Sequence, residues 1–398
     1  MQDVMPSFRA DVTIDVHHEN GQSYVVLNDP YGIAEGPIMV HADMVDILEH
    51  CDGQTTWTSF AQMQQIDADG QELLRVKNFV TQLDSMGYFD TSTAHNRERE
   101  MISSWNASPS RPPVCAGSTY PEDVDELRVA LSELCTPSSE TSLAEVQSAP
   151  RMILMPHIDF RVAGDCYAAA AQHIRNSNAN LVVMIGTSHY WADDLIIPTE
   201  KNYSTPLGEL QTNRQQVRKF SQAMIDRGLQ VSQTDLAHKP EHSLELHALL
   251  LQYNLPDANV SVLPILVGGD AISNANAIGE AASVLRSIVE ESGKDVLWLV
   301  SGDMSHYGRR FGDSEDASAK HHQVTAVDRQ LLEQIRQGDV GQFHTAIAST
   351  NNNTNVCGHG PLLLAMLAAQ PTQGAVLSYE LWDDVQTNSA VTFASVVW

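Results

Sequence analysis

This 398-residue chain lacks features that several protein classes require. It has no run of about 18 apolar residues, so no transmembrane helix is expected. Its first residues, MQDVMPSFRADVTIDV, have no basic segment followed by an apolar one, which argues against a signal peptide. The chain has no HExxH motif, which argues against a zinc protease of that type. We therefore expect a cytoplasmic protein without a membrane partner.

Cysteine and basic residues are both scarce. The five cysteines form no CxxC pair, and their odd number in a large chain predicts reduced thiols rather than a disulfide framework. Lys and Arg number 23 against 50 Asp and Glu, which gives a formal net charge of −27. A surface of that sign repels phosphate groups, so no nucleic-acid partner is expected.

The chain has enough hydrophobic residues for a globular core, and its length suggests two domains. Hydrophobic residues make up 42% of the sequence. Two polar stretches interrupt the pattern, residues 91–113, which end in Arg-Pro-Pro, and residues 136–149. We predict a linker for the first and a loop for the second, and we place domains at 1–90 and 114–398.

The first 90 residues predict a small module of strands and helices. QSYVVLND is typical of a strand, and HADMVDILEHC and TTWTSFAQMQ are typical of helices separated by an Asp-Gly turn. A longer helix is predicted over QELLRVKNFVTQLDSM, ending at Gly87. Its apolar stripe is expected to contain Leu73, Leu74, Val76, Val80 and Leu83.

This order of elements resembles a winged helix, and its final L-x-x-x-G-Y-F resembles that of PqqD-like peptide-recognition domains. The resemblance implies that the module holds a peptide along an exposed strand edge near QSYVVLND. A winged helix that only packs on its neighbour is the alternative. DNA binding is not expected, because residues 1–90 hold 15 Asp and Glu but three Lys and Arg, a charge of −12.

The rest of the chain alternates short apolar runs with helical stretches. RMILM, NLVVMIG, VSVLPILVG and VLWLVSG are apolar enough to be strands buried on both faces. Helices are predicted over DCYAAAAQHIRN, RQQVRKFSQAMIDRG, SNANAIGEAASVLRSIVEES and VTAVDRQLLEQIRQG, and further strands over AVLSYELWDD and AVTFASVVW. This alternation predicts a three-layer α/β/α domain.

A histidine follows each of three predicted strands. His157 comes after RMILM, His189 after NLVVMIG, and Asp303 and His306 after VLWLVSG. Ligands of open α/β sheets bind beyond the carboxyl ends of the strands, and imidazole is the commonest protein ligand for transition metals. One such histidine is usually an ordinary loop residue, but three together favour a metal site.

A second group of candidates lies in HKPEHSLELH, residues 238–247. Spacings of four residues predict that some of these side chains share one helical face. The group comprises His238, Glu241, His242, Glu245 and His247.

Cys357, in NNNTNVCGHGPLLLAML, allows three interpretations. It can be a small buried thiol at a helix start, or a nucleophile with His306 or His359 as its base. It can also be a metal ligand together with His157 and His189, since a helix N-terminus favours the thiolate that a metal requires.

Residues 111–398 resemble the Memo family, whose bacterial members are called AmmeMemoRadiSam system protein B. The motifs that carry the resemblance occur in the family's order. They are AGSTYP, MPHIDF, GTSHY, TPLGEL, EHSLELH, SVLPILVG, SGDMSHYG, CGHGPL and NSAVTFAS. The family often has Trp at the position of Thr119. It also often reads PHAGY where this chain has PHIDF, so Asp159 is either a hydrogen-bonding partner of a metal ligand or a salt-bridged loop residue.

The resemblance implies a pocket that holds iron or copper through two histidines and a cysteine, here His157, His189 and Cys357. Asp303 and His306 line the same pocket, and His242 is a further candidate. His306, near Asp303, is the expected acid–base residue.

The Memo family in turn resembles class III (LigB-type) extradiol dioxygenases, which hold non-haem Fe(II) with two histidines and a carboxylate. Fe(II) is therefore the first expectation. Cu and Zn are alternatives, because thiolate is a softer ligand than carboxylate.

The leading functional expectation is a metalloprotein, with redox or dioxygenase-like activity on an unknown substrate, acting beside radical-SAM system partners. One alternative is a non-catalytic protein that binds a peptide or partner through residues 1–90. Another is a metal-free hydrolase that uses Cys357.

Overall fold

The computed structural model describes residues 3–19, 22–136, 149–191, 193–256 and 259–398. Apart from its two end residues, the loop predicted at 136–149 lies outside the described residues. The chain divides into two compact units, Met1–Ser108 and Pro109–Trp398. None of the helices in the described ranges is long and apolar enough to cross a membrane.

In its described residues, the first unit combines a three-stranded antiparallel sheet, ordered β1-β2-β3, with four α-helices. The strands are β1 (Thr13–Glu19), β2 (Gln22–Asn28) and β3 (Ile38–His41). The helices are α1 (Val45–Glu49), α2 (Trp57–Met63), α3 (Gln71–Met86) and α4 (Ser92–Ala107).

Local signals account for the ends of these helices. The Thr56 side chain accepts a hydrogen bond from the Ser59 N–H and caps α2. Helix α3 ends at Gly87, whose φ of 92° favours glycine. Of the predicted stripe on α3, Leu73, Val80 and Leu83 are buried, whereas Leu74 is 49% exposed because adjacent residues on a helix point about 100° apart.

One expectation for this region differs from the structure, and another stays a prediction. QSYVVLND forms the central strand β2, which pairs with β1 and β3, so an exposed edge near it would belong to a neighbouring strand. Residues 91–113, predicted to be a linker, contain helix α4, and the boundary between the units falls after Ser108. The polar composition concealed this helix, in which Ala94 and Trp105 are buried.

The second unit is built on an eight-stranded mixed sheet. The order is β12-β14-β5-β11-β6-β10-β7, and β13 pairs with β14. The strands are β5 (Met152–Met155), β6 (Leu181–Thr187), β7 (Ile196–Pro198), β10 (Ser261–Val267), β11 (Val296–Ser301), β12 (His306–Gly308), β13 (Ala375–Asp384) and β14 (Ser389–Val397). A small separate sheet contains β4 (Ser110–Arg111), β8 (Asn202–Thr205) and β9 (Gly208–Leu210).

Helices cover both faces of the large sheet. Val183 and Ile185 of β6 pack in one core with α7 and α9–α12, whereas Val182 and Met184 pack in another with α5, α6 and α8. The mixed α/β fold expected from the sequence is therefore present. The helices are α5 (Val124–Leu134), α6 (Gly164–Arg175), α7 (Arg214–Asp226), α8 (Glu245–Asn254), α9 (Ala275–Glu291), α10 (His321–Arg336), α11 (Val340–Ser349) and α12 (His359–Ala369).

The parallel strands determine where the polar residues meet. β5, β11, β6 and β10 are parallel neighbours in that order, so their carboxyl ends lie along one edge of the sheet. His157, His189 and Asp303 each lie two residues after the end of one of these strands. Their backbones therefore emerge side by side.

Candidate metal centre

Polar side chains from separate parts of the chain meet beyond the carboxyl ends of β5, β6 and β11. His157 Nε2 lies 3.3 Å from Cys357 Sγ and 3.7 Å from Asp303 Oδ2. His306 Nε2 lies 3.8 Å from the same Asp303 oxygen. Asp303 Oδ2 thus lies within 4 Å of the Nε2 atoms of both His157 and His306.

His189 and His242 complete the cluster. Their rings are stacked with centroids 4.9 Å apart, and the His157 ring meets them edge-on at 4.9 and 5.3 Å. Within the described ranges, two sets of side chains have ligand atoms within 4.8 Å of one another, and both include His157. They are His157 with His189 and His242, and His157 with Asp303 and Cys357.

A buried serine determines which nitrogen of His157 carries the proton. Ser301 Oγ donates to the carbonyl of Ser243 at 2.7 Å, which uses its only hydrogen. The same oxygen lies 3.0 Å from His157 Nδ1 and must accept from it. The proton is therefore on Nδ1, and the lone pair of Nε2 faces Cys357 and Asp303.

Glu241 likewise holds the ring protons of His189 and His242 on Nδ1. Its Oε1 lies 2.9 Å from His189 Nδ1 and 3.3 Å from His242 Nδ1. The backbone N–H groups of His189, His242 and Ser243 also donate to this carboxylate. Although burial alone acts to raise it, these neighbours hold the pKa of Glu241 well below its ordinary value. A carboxylate behind an imidazole is a common way of orienting a metal ligand.

Asp303 and His306 form a pair in which the ring proton of the histidine is again held on Nδ1. His306 Nδ1 lies 3.0 Å from the Asn355 carbonyl and 3.2 Å from the Met304 carbonyl, so it carries the proton and Nε2 faces Asp303. Burial raises the pKa of Asp303 and lowers the pKa of His306. The two pKa values are therefore brought closer together, which favours exchange of a proton between the two groups.

Two glycines allow Cys357 to reach this group. A Cβ on Gly302 would lie 2.4 Å from the Cα of Gly358, so side chains are excluded where the two loops cross. The crossing is fastened by the Gly358 N–H donating to the Asp303 carbonyl at 3.1 Å, and the Asp303 N–H lies 3.3 Å from Cys357 Sγ. Cys357 therefore lies among polar groups and not in an apolar core, although burial raises the pKa of its thiol.

Comparisons with known proteins agree with the motif evidence. A family model described as Memo-like protein matches residues 111–397. The chain belongs to the Memo family. A Memo-family protein of Aquifex aeolicus is 28% identical over 388 residues, which is 95% of this chain and 96% of its own. A Memo-family protein of Methanosarcina barkeri is 26% identical over 72% of this chain and 99% of its own. The Aquifex match is long enough to include most of the first unit of this Memo protein.

Other sequence candidates lie elsewhere in this Memo protein. His359 Nε2 pairs with His344 Nδ1 at 3.1 Å and does not serve Cys357 as a base. Asp159 forms an ion pair with exposed Arg161, as in the salt-bridge interpretation.

The helical face predicted for residues 238–247 is wrong. Helix α8 begins only at Glu245, because the Glu241 side chain binds the backbone N–H groups of His242 and Ser243 in a turn. His238 and His247 are buried and bind Tyr203 OH and the Pro156 carbonyl.

Sequence reasoning did not identify Ser301 as part of the site, nor the role of Glu241. Both lie inside the Memo motifs, in SGDMSHYG and EHSLELH. A hydroxyl at the end of an apolar strand and a glutamate beside a histidine were the available signals.

Proposed function

We propose that this Memo protein is a metalloprotein that binds one ion through His157, His189 and Cys357. The observation that supports this most is a group of acceptor atoms gathered at one point. The Nε2 atoms of His157 and His306 lie 3.7 and 3.8 Å from Asp303 Oδ2, and the protons of both rings are held on Nδ1 by other acceptors. Acceptor atoms arranged in this way would suit a bound cation.

The ligand set is suited to a redox-active ion. Fe(II) is the first choice because the Memo family resembles the Fe(II)-dependent extradiol dioxygenases. Cu and Zn are alternatives, because imidazoles bind all three ions and a thiolate favours the softer ones. Such an ion supplies Lewis acidity and electron transfer. His306 and Asp303 would move a proton at the side of the pocket. His242 would orient the substrate or serve as an additional ligand. The activity we infer is redox or dioxygenase-like.

Anaerobic titration of metal-free protein with Co(II), Fe(II), Cu(I) and Zn(II) tests the site. We expect one equivalent to bind, and Co(II) to give a thiolate charge-transfer band. Cys357→Ser should lose that band, whereas Cys51→Ser, which alters a buried cysteine in the other unit, should keep it. An unchanged band in Cys357→Ser removes the cysteine from the ligand set. Failure to bind any metal leaves the Cys-dependent hydrolase as the better interpretation.

The variant His306→Ala tests whether His306 is an acid–base residue or a metal ligand. We expect the variant to bind Fe(II) as the wild type does but to lose oxygen uptake. Loss of bound iron would make His306 a ligand instead.

A second candidate function is peptide binding by the first unit. Strand β1 is an edge strand in the described part of the sheet, and its Ile14 and Val16 are 50% and 65% exposed. We propose that an extended peptide, for example from a radical-SAM system partner, adds to this edge as in a PqqD-like winged helix.

The β1 edge can be tested with a displayed library of extended peptides. Val16→Lys should abolish enrichment, and Val385→Lys, which changes a valine in the second unit that is also largely exposed, should not. Equal enrichment by both variants would exclude β1 as the binding edge.

A further inference from the structure

Arg111 is a buried charge whose contacts lead to the metal centre. Its side chain is inaccessible to solvent, and its three nitrogens donate in three directions. Nε donates to the His238 carbonyl at 2.6 Å, Nη1 donates to Glu245 Oε2 at 2.6 Å, and Nη2 donates to the Glu241 carbonyl. The guanidinium therefore ties together the two ends of the turn 238–241.

Glu245 neutralises this charge and is itself fully bonded. Besides Arg111, it accepts from the Cys115 N–H at 2.8 Å, the Val114 N–H at 2.9 Å and Tyr120 OH at 2.6 Å. Both members of the ion pair have no exposed side-chain surface. Such a pair is costly to bury unless every polar atom is satisfied, as it is here.

The turn that Arg111 holds carries the carboxylate of Glu241, which orients His189 and His242. We propose that Arg111 is a positioning residue of the metal centre, acting through the Glu241 backbone. This inference rests on the metal site proposed above. Lysine cannot replace Arg111 in this role, because an ammonium lacks the planar fork that reaches three separate acceptors.

A buried ion pair can also serve stability alone, and the first unit offers a matched control. Arg9 is buried beside Asp29 at 2.9 Å and also donates to the Gly87 carbonyl. It belongs to the other compact unit, so Arg9→Lys perturbs a comparable pair outside the unit that contains the proposed ligands.

The experiment compares Co(II) binding by the full-length wild type, Arg111→Lys and Arg9→Lys, with urea unfolding measured in parallel. We expect Arg111→Lys to weaken Co(II) binding about 10–100-fold and to shift the Co(II) ligand-field bands, as loss of an orienting group does. Arg9→Lys should lower the stability of its unit and leave affinity and bands unchanged.

If Arg111→Lys fails to fold, the double variant Arg111→Met/Glu245→Gln provides the same test. It removes both charges, and the glutamine carbonyl can still accept from Cys115 N–H and Tyr120 OH. Unchanged Co(II) affinity and bands in a folded Arg111 variant would overturn the positioning role alone. A wild type that binds no Co(II) would overturn the metal site and this inference together.

Discussion

At the scale of single residues, the proposed metal centre depends on one hydroxyl. Ser301 holds the His157 proton on Nδ1, so Ser301→Ala frees the ring to turn or change tautomer. We predict a 10–100-fold loss of Zn(II) affinity, the usual effect of removing such a partner. Competition with a chromophoric chelator measures it.

Ser395→Ala is the control for this variant. Ser395 is equally buried, and its hydroxyl donates to the Cys166 carbonyl at 2.7 Å, outside the metal centre. Equal affinities in the two variants would contradict the tautomer argument.

The buried imidazole of His247 should make the folded protein less stable at low pH. Burial lowers its pKa from 6.5 to about 4. Below pH 6.5, His247 binds a proton in the unfolded chain but stays neutral in the folded chain. Its contribution to the free energy of unfolding is therefore fully present above pH 6.5 and is lost as the pH falls toward 4. His247→Gln, whose amide can still donate to the Pro156 carbonyl, should remove about 3 kcal/mol of this loss.

Urea unfolding of the second unit at pH 7 and pH 4.5, in wild type and His247→Gln, measures the difference. Titration of carboxylates affects both proteins and cancels. Parallel losses of stability in the two proteins would exclude His247 as a source of acid sensitivity.

The sequence could predict which side chains lie at strand ends. With the family motifs, that placement predicted that His157, His189, Asp303 and His306 meet at one site. It could not predict Ser301 or the reach of Glu241. Their roles depend on hydrogen-bond directions between strands and loops, which no residue spacing encodes.

At the scale of elements, the crossing of Gly302 and Gly358 joins the loop after β11 to the start of α12. A methyl group on Gly302 would overlap the backbone of Gly358. We predict that Gly302→Ala destabilises the second unit by about 1–3 kcal/mol and weakens metal binding, because Cys357 is displaced from His157. Chemical unfolding and Co(II) titration check both effects.

Gly164→Ala is the matched substitution. Gly164 begins α6, and an added Cβ there meets no atom within 4 Å. Stability should be unchanged or slightly higher. If Gly302→Ala behaves in the same way, the close crossing is not what places Cys357.

Element type was predictable where the pattern was strong. The long apolar strands and amphipathic helices of the second unit agree with their runs in the sequence. Helix α4 was missed because few of its residues are buried. The central position of β2 could not be predicted, since its neighbour β1, TIDVHHE, lacks a strong apolar run.

At the scale of the whole molecule, the charge of −27 makes folding sensitive to salt. Like charges repel more in the compact state, and counterions screen them over about 10 Å at 0.1 M ionic strength. We predict a melting temperature about 2–5 °C higher in 0.5 M than in 0.02 M salt. Calorimetry in NaCl and in choline chloride checks it, and a rise with only one salt would indicate specific ion binding.

The centre also has a consequence for the order of events in the cell. His157 and Cys357 touch although 200 residues separate them along the chain. A ribosome therefore synthesises nearly the whole second unit before His157 and Cys357 can meet. Closing so long a loop costs conformational entropy, so we expect the contact to form after the sheet has formed. An ion bound as proposed, with Cys357 among its ligands, would gain its full ligand set only in a finished, correctly folded molecule, so thiolate coordination would report on successful maturation.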